Sequence, residues 1–245
     1  TWASDNPEVI SVDKTGKLKV HTTKTASAVI TASYGPVVQN VTVTVADGRF
    51  WYSLGNGLGN GLDNNWYLDG NNASVVSSDG NKTTVQMGSG YRGDLWLARS
   101  GKGKIVNVTP ADYRYFAIKV GFKSQLVPGK NKPNGCIKLE IFDDGIKKIG
   151  PEYFGTGGDA NNRYEILGAS EISTTEPNVL YYDLQSKYKT VTPTDWNQVF
   201  DLVQCKFVIA DFPETAQTYD LYWIRSFKSI EELQAFVDSE NNTNE

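Results

Sequence analysis

Residues 54–72 read LGNGLGNGLDNNWYLDGNN and place two large aromatic side chains, Trp66 and Tyr67, among glycine, asparagine and aspartate. The flanking Asn, Asp and Gly residues favour turns, and their polar groups are costly to bury without partners. A loop of this composition is expected to present both rings to solvent, where exposed aromatic surface usually serves binding. The chemistry would be sugar recognition, in which a pyranose face stacks on the indole and polar side chains bind hydroxyl groups.

The same loop allows other interpretations. A linker is disfavoured because a predicted strand, RFWYSL, precedes it and places it inside a domain. A calcium loop is disfavoured because the D-x-D-x-D-G spacing is absent. An inward orientation, with Trp66 folded back as a lid over one end of a β-sandwich, stays open.

The alternating pattern of residues 93–99 indicates a second aromatic side chain that could bind sugar. Leu95 and Leu97 share one face of this predicted strand, which places Trp96 on the other face. Leucines are the more natural core residues, so Trp96 is expected on the solvent face. The predicted carbohydrate-binding set is Trp66, Tyr67, Trp96, Tyr91 and Arg99.

The sequence contains few candidate catalytic residues. His21 is the only histidine and lies on a predicted surface strand of the N-terminal segment, which leaves Ser-His-Asp and Cys-His hydrolysis without a base elsewhere. Glycoside hydrolysis needs two carboxylates across a cleft, and the cluster Glu140, Asp143 and Asp144 is interpreted as a solvated turn. We therefore predict that the protein is not an enzyme. No cofactor is predicted, although the D-G-N turns at 69–71 and 79–81 leave a structural calcium ion open.

Composition excludes further classes. The 245 residues carry a net charge of -4 and no basic run, which argues against nucleic acid. Two distant cysteines, Cys136 and Cys205, exclude a zinc spacing and leave a single disulfide open. No apolar run approaches the roughly 20 residues of a membrane helix. Aromatics at 12%, with 13 Tyr and 6 Trp, are typical of a β protein.

Alternation predicts an all-β chain with two domains. Residues 1–46 alternate in short segments separated by turns, and 48–238 form longer strands that suggest a jelly-roll β-sandwich. The predicted strands of the second domain are 49–54, 73–77, 83–88, 93–99, 104–108, 113–122, 135–142, 162–167, 178–183, 204–211 and 219–228. Ser229 and Glu232 form a capping box for one short C-terminal helix, and 239–245 are expected to be disordered.

Within two of these strands the alternation also assigns faces. Phe116, Ile118, Val120 and Phe122 share one face of 113–122 and are predicted core residues. In 219–228 alternation does not say which face is buried, and Trp223 is assigned to the core as the commoner position of a tryptophan in a sandwich.

The first domain resembles bacterial immunoglobulin-like modules of the second type. TWASDNPEVISVDKTGKLKV is similar to their W-S-S-x-N-x-x-V-A-x-V-D-x-x-G-x-V signature, and ASAVITASYG is similar to the A-x-I-T-A strand that follows. The resemblance implies a spacer module with Trp2 in its core. Family members have a strand before this tryptophan, so the first strand is expected to be missing or replaced by another segment.

The whole chain resembles, in architecture, the surface glycan-binding proteins of Bacteroidetes polysaccharide-utilisation systems. The specific residues are the signature above and, more loosely, the closing segment YDLYWIRSFKSIEELQAF. The resemblance implies a non-catalytic protein of the outer-membrane surface, held by an N-terminal lipid anchor. It would bind a plant hemicellulose such as xyloglucan or xylan and deliver it to an importer complex. Competing hypotheses are a structural or adhesive protein whose sandwich binds another protein, and a glycoside hydrolase.

Overall fold

The computed structural model describes residues 1–21, 26–45, 48–58, 66–69, 73–87, 93–99, 102–103, 106–108, 112–125, 138–143, 164–184, 200–209 and 217–242. The chain divides into two compact units, Thr1–Gly48 and Arg49–Glu245.

The first unit contains five described antiparallel strands, three of three residues and two of nine. They are β1 (Trp2–Ser4), β2 (Ile10–Val12), β3 (Leu18–Val20), β4 (Ala26–Tyr34) and β5 (Val37–Val45). One sheet has the order β1-β4-β5, and β2 pairs with β3 in a hairpin. Ile10, Ala28 and Ile30 form a small buried core between them. His21 is exposed beyond β3, where its Nε2 lies 2.7 Å from Ser11 Oγ.

Trp2 corrects the expectation that it lies in the core of this unit, because 45% of the residue is exposed. Its indole lies against Gly16 in the turn between β2 and β3, where an added Cβ would stand 2.8 Å from the ring. Gly16 has a φ of 88°, which favours glycine. The ring therefore covers a turn, and the core is filled by smaller side chains.

The second unit contains thirteen described strands and one helix. They are β6 (Trp51–Ser53), β7 (Tyr67–Asp69), β8 (Ser74–Ser78), β9 (Thr83–Gln86), β10 (Gly93–Arg99), β11 (Lys102–Gly103), β12 (Val106–Val108), β13 (Tyr115–Phe122), β14 (Lys138–Asp143), β15 (Glu165–Ile166), β16 (Asn178–Asp183), β17 (Phe200–Ile209), β18 (Thr218–Phe227) and α1 (Ile230–Asn242). Eleven of these strands match the predicted segments, while β7 and β11 were not predicted.

The strands form two antiparallel sheets. The seven-stranded sheet has the order β15-β16-β13-β18-β9-β8, with β6 also paired to β18. The six-stranded sheet has the order β11-β10-β17-β12, with β7 on β10 and β14 on β17. Strands β13, β14, β16, β17 and β18 alternate between the two sheets, as successive strands of a jelly roll do. The predicted all-β class with a β-sandwich and a short C-terminal helix is confirmed. No helix among the described residues is long and apolar enough to cross a membrane.

The main core lies between the two sheets and confirms the alternation predicted for β13. Phe116, Ile118, Val120 and Phe122 are buried there. Leu95 of β10 and Phe207 of β17 belong to the same core.

A second, smaller core lies on the outer face of the seven-stranded sheet, beneath α1. It consists of Ala117, Val179, Trp223, Phe227 and Leu233, with Phe236 and Val237 of the helix packed against it. The predicted capping box is present in part: Ser229 Oγ accepts from Glu232 N at 3.2 Å, while the Glu232 carboxylate accepts from Lys228 N, one residue before the cap, at 2.7 Å. Trp223 is buried as predicted, although it lies in this second core.

The helix is longer than expected, so the prediction of a disordered tail beginning at residue 239 is wrong for 239–242. Ser239 Oγ donates to Phe236 O at 2.7 Å. Glu240 accepts hydrogen bonds from the sheet below, which holds the last turn against the sandwich. The polar composition of 239–245 suggested disorder, because the residues that hold the last turn, Lys119 and Trp223, are distant in sequence.

Trp66 corrects the expectation of an exposed ring, because it is fully buried, with 0% exposure. It immediately precedes β7 and packs at 5.9 Å from both the Tyr52 and Phe207 rings. Leu54 and Leu58 of the same Gly/Asn stretch also contact the main core, whereas 59–65 lie outside the described residues. Trp66 adjoins β7, and the pairing of β7 with β10 holds this part of the chain against the core. The turn-forming residues around Trp66 gave no indication of that pairing.

We expect Trp66→Ala to destabilise the protein by about 3–5 kcal/mol, since a large buried ring would leave a cavity. For a domain of this size that corresponds to a fall in Tm of at least about 6 °C. Thermal unfolding followed by circular dichroism would measure it. Tyr34→Ala is the control, because Tyr34 is 89% exposed and should change stability by about 0.5 kcal/mol or less. Equal Tm values for the two variants would contradict the buried position of Trp66.

Candidate functional site

A groove of about 740 Å³ crosses the outer face of the seven-stranded sheet beside α1. Its volume lies within the range of small-molecule sites. The groove is lined by Ser53, Gly55, Gly80, Asn81, Lys119, Glu176, Pro177, Val179, Tyr222, Trp223, Arg225, Val237, Glu240 and Asn241. Most of its polar groups are side chains that can bind hydroxyls, namely amides, carboxylates, an ammonium and a phenol.

The floor of the groove depends on a β-bulge in β18. Lys119 pairs with Trp223 and Val120 with Leu221, so Tyr222 has no partner on β13. Leu221 and Ile224 face the main core, whereas Tyr222 and Trp223 both contact the second core. A bulge adds one residue to a strand and therefore lets two consecutive side chains share a side. Regular alternation would place Leu221 and Trp223 on the same face, and this bulge is the reason that they lie on opposite sides of the sheet.

Tyr222 is the half-buried ring of the floor. The Nζ of Lys119 lies 5.5 Å from its ring centroid. Desolvation raises the pKa of the Tyr222 hydroxyl, so the phenol stays protonated at neutral pH and can donate a hydrogen bond.

One wall of the groove is the start of the Gly/Asn stretch. Gly80 N donates to Gly55 O at 3.0 Å, Gly57 N donates to Thr83 Oγ1 at 3.1 Å, and the Thr83 hydroxyl donates to Leu54 O. An added Cβ on Gly55 would stand 2.3 Å from Gly80 O. Glycine is therefore required at 55 by close backbone contact with the β8–β9 turn, so this segment is a fixed wall.

The opposite wall is the last turn of α1. Glu240 Oε2 accepts from Trp223 Nε1 at 3.1 Å and from Lys119 Nζ at 3.1 Å, and its other oxygen lies 3.9 Å from Arg225 Nη1. One carboxylate thus joins helix and sheet at the edge of the groove. The negative charge of the Glu240 carboxylate offsets part of the positive charge that Lys119 and Arg225 bring to the site.

Among the tryptophans of the second unit whose side chains are described, Trp51 is the most exposed, at 42%, yet it offers little free stacking surface. The guanidinium carbons of Arg49 and Arg225 lie 3.9 and 4.3 Å from its ring centroid, and Phe236 packs edge-on at 5.3 Å. Burial lowers the pKa of Arg225, against the opposing effect of Glu240. The cation–π contacts occupy the indole and hold Arg225 in place.

A buried carboxylate supports the sheet beside Tyr222. Asp220, whose side chain is 2% exposed, accepts from Lys82 Nζ at 2.8 Å, Lys123 Nζ at 3.1 Å and Thr84 Oγ1 at 2.7 Å. Desolvation alone would raise the pKa of Asp220. Together the hydrogen bonds from Lys82, Thr84 and Lys123 outweigh desolvation and lower it. The pairing therefore stabilises the fold wherever the carboxyl is ionised.

The predicted binding set is not gathered at this groove. Trp66 lies in the main core, whereas Tyr67 and Trp96 stand side by side in the register of β7 and β10. Arg99 pairs with Lys102 at the far end of β10, and Tyr91 lies outside the described residues. The side chains of Trp96 and Arg99 are also outside the described part, so their role in sugar binding stays a prediction.

The alternative metal and catalytic positions are only partly described. Asp79 Oδ1 accepts from Asn81 N at 2.9 Å and Lys82 N at 2.8 Å, which makes it the cap of the β8–β9 turn. Among the residues that the structure describes, no three His, Cys, Asp or Glu side chains are placed to hold a metal ion. Asp144, Cys136 and most of the D-G-N turn at 69–71 lie outside the described ranges.

Sequence reasoning missed the groove residues. Tyr222 and Trp223 were visible as adjacent aromatics, but two consecutive residues of a regular strand point to opposite faces. Their neighbour across the groove, Glu240, lay in a segment expected to be disordered. The available signal was the unbroken YDLYWIRSF run, whose apolar residues on both faces indicate a strand buried on both sides.

Gly55→Ala should destabilise the protein by about 1–3 kcal/mol, because the methyl group would overlap the backbone of the β8–β9 turn. Chemical denaturation would measure the change. Gly121→Ala is the matched control, since the atom nearest to its added Cβ, Asp220 Cβ, is 3.5 Å away in ordinary contact. Native-like stability of the Gly55 variant would show that the wall is not tightly packed.

Asp220→Asn should lower the free energy of unfolding at neutral pH by about 1–3 kcal/mol, through loss of charge-assisted hydrogen bonds. The pKa of Asp220 is lower in the folded than in the unfolded protein. The stabilisation from its carboxylate is therefore fully present above the unfolded-state pKa of about 4, and it is lost as the pH falls through the folded-state pKa. The difference between native protein and variant should therefore shrink in acid. Urea titrations across pH would measure it, with exposed Asp238→Asn as the control. A difference that does not change with pH would refute the assignment.

Comparison with solved structures finds two chains. A carbohydrate-binding module of the β-sandwich superfamily aligns over 86% of this chain and 77% of its own, at 11% identity and a TM-score of 0.35. The CBM51-2 and INT domains of Clostridium perfringens ZmpB align over 88% of this chain, at 12% identity and a TM-score of 0.25. The chain spans 43% of that second structure. Alignments at these TM-scores do not establish a shared fold.

No curated protein sequence matches the chain. The model of one protein family, described as a domain of unknown function, matches residues 57–233, which include most of the groove lining and every described strand of both sheets except β6. The chain therefore belongs to the DUF4979 family.

Proposed function

We propose that the protein binds a polysaccharide without cleaving it, and that the groove beside α1 is the binding site. The observation that carries this proposal is the bulge in β18, which places the half-buried Tyr222 ring on the floor of a groove rimmed by hydroxyl-binding groups. The ring would stack on a pyranose. Lys119, Glu240 and the amide groups of Asn81 and Asn241 would bind its hydroxyls.

The charges of the groove favour a ligand rich in hydroxyl groups and without strong charge. Lys119 and Arg225 oppose Glu240 and Glu176 at the lining, so neither sign dominates. An aromatic contact contributes about 0.5–1.5 kcal/mol. A few such contacts and hydrogen bonds correspond to Kd values between about 1 μM and 1 mM, which suit a polymer that offers many sites.

The proposal includes the biological setting implied by the sequence resemblance. The ligand would be a plant hemicellulose such as xyloglucan or xylan. The full-length protein would lie on the outer-membrane surface, held by an N-terminal lipid anchor, and would pass glycan to an importer complex. The first unit would act as a spacer.

A glycoside hydrolase is the second candidate, because two carboxylates, Glu176 and Glu240, line the same groove. A hydrolase needs one carboxylic acid and one free carboxylate across the scissile bond. Glu240 is instead engaged by Trp223 and Lys119, which supports a positioning role and a non-catalytic groove. Release of reducing sugar from a polysaccharide by the protein would instead favour the hydrolase.

Affinity electrophoresis in gels cast with xyloglucan, xylan, β-glucan or mannan tests the proposal. We expect retardation on at least one polysaccharide with no reducing sugar released. Tyr222→Ala should abolish retardation and Asn81→Ala should weaken it, while Tyr34→Ala, a matched tyrosine outside the groove lining, should migrate as the native protein does.

The same gels separate this site from the one predicted by sequence. If Trp96→Ala abolishes retardation and Tyr222→Ala does not, glycan binds at the β7–β10 surface. Native mobility on all four polysaccharides would remove the glycan-binding proposal and favour a protein-binding role. Melting curves of each variant distinguish lost binding from lost folding.

A further inference from the structure

A pair of tyrosines lies on the same outer face of the seven-stranded sheet, outside the groove lining. Tyr115 of β13 and Tyr181 of β16 are both half-buried, and their ring centroids are 6.1 Å apart at an interplanar angle of 74°. Both rings pack against the second core, which fixes them on the sheet. Edge-to-face packing of this kind restricts the orientation of each ring and leaves part of its surface in solvent.

A rigid polar group flanks this tyrosine pair. Arg114 Nε and Nη2 donate to the two carboxylate oxygens of Asp183 at 2.6 Å each. The Arg114 guanidinium carbon lies 5.2 Å from the Tyr115 ring centroid. Glu165 is exposed and opposite Tyr181 in the register of β15 and β16. A bidentate pair between a guanidinium and a carboxylate holds its donors and acceptors in defined directions.

The tyrosine pair continues the groove along β16. Val179 lines the groove, and Tyr181 lies two residues further along the same strand and on the same face. Two residues of strand span about 7 Å. Asp183 follows at the same spacing and pairs with Tyr115. The aromatic and polar surface therefore extends from Pro177 past Tyr181 to the Arg114–Asp183 pair.

We propose that Tyr115 and Tyr181 form a second sugar subsite, which takes the pyranose units of a long glycan chain that extends beyond the groove. This inference rests on the proposed function of the groove. Tyr181 would stack on a sugar ring, and the Arg114–Asp183 pair and Glu165 would bind its hydroxyls. The protein would accordingly select long chains of neutral polysaccharide over short oligosaccharides.

Burial raises the pKa of the Tyr181 hydroxyl, and Glu165 adds to the effect. The hydroxyl is therefore protonated at neutral pH and serves as a donor. Tyr181→Phe should remove this donor and keep the stacking surface, whereas Tyr181→Ala should remove both.

Isothermal titration calorimetry with xyloglucan, xylan and short and long oligosaccharides cut from each tests the inference. Tyr181→Ala should weaken binding of long chains about threefold to tenfold, the loss expected for one aromatic contact. Binding of short oligosaccharides, which fit within the groove, should not change. Tyr181→Phe should retain most of the affinity for long chains, and Tyr34→Ala should match the native protein.

Two results would overturn the second subsite while leaving the groove proposal intact. One is native affinity of Tyr181→Ala for long chains. The other is an equal loss for short and long chains, which would indicate a structural role for the ring. Absence of binding by the native protein to every glycan would instead refute the proposed function and this inference with it. Thermal unfolding of each variant checks that the sheet is intact.

Discussion

Strand β18 has to bury side chains on both of its faces, and the organisation of the second unit depends on how it does so. On one side Leu221 and Ile224 enter the core between the sheets, and on the other Trp223 and Phe227 lie under the helix. An uninterrupted strand could not place 221 and 224 on one side, because alternation would separate them. The bulge at Tyr222 resolves this conflict and leaves an aromatic ring at the surface.

The helix then divides the outer face of the seven-stranded sheet. Its apolar residues cover Trp223 and Phe227, and Glu240 ties its last turn to Trp223 and Lys119. Part of the uncovered remainder is the groove, whose glycine wall is held by backbone contact with the β8–β9 turn. If glycan binds in this groove as proposed, walls already held by sheet, turn and helix would limit the entropic cost of recognition.

Strand positions were largely predictable, because alternation of side chains is a property of the extended backbone itself and needs no distant partner. The alternation of 113–122 placed Phe116 and Ile118 in the core correctly, and the capping box located the helix start. The site was not predictable in the same way. Trp66 was assigned to solvent from the turn-forming residues around it, yet pairing of β7 with β10 brings it into the core.

By itself, therefore, the sequence determined an all-β chain, most strands and the start of the closing helix, all of which follow from local sterics and patterning. Only the tertiary structure decided which aromatics remain near solvent. That choice depends on a one-residue bulge in β18 and on contacts such as Glu240 with Trp223, whose partners are far apart in sequence. Because one extra residue moves every following side chain to the other face, composition and alternation could not assign Tyr222 to a groove.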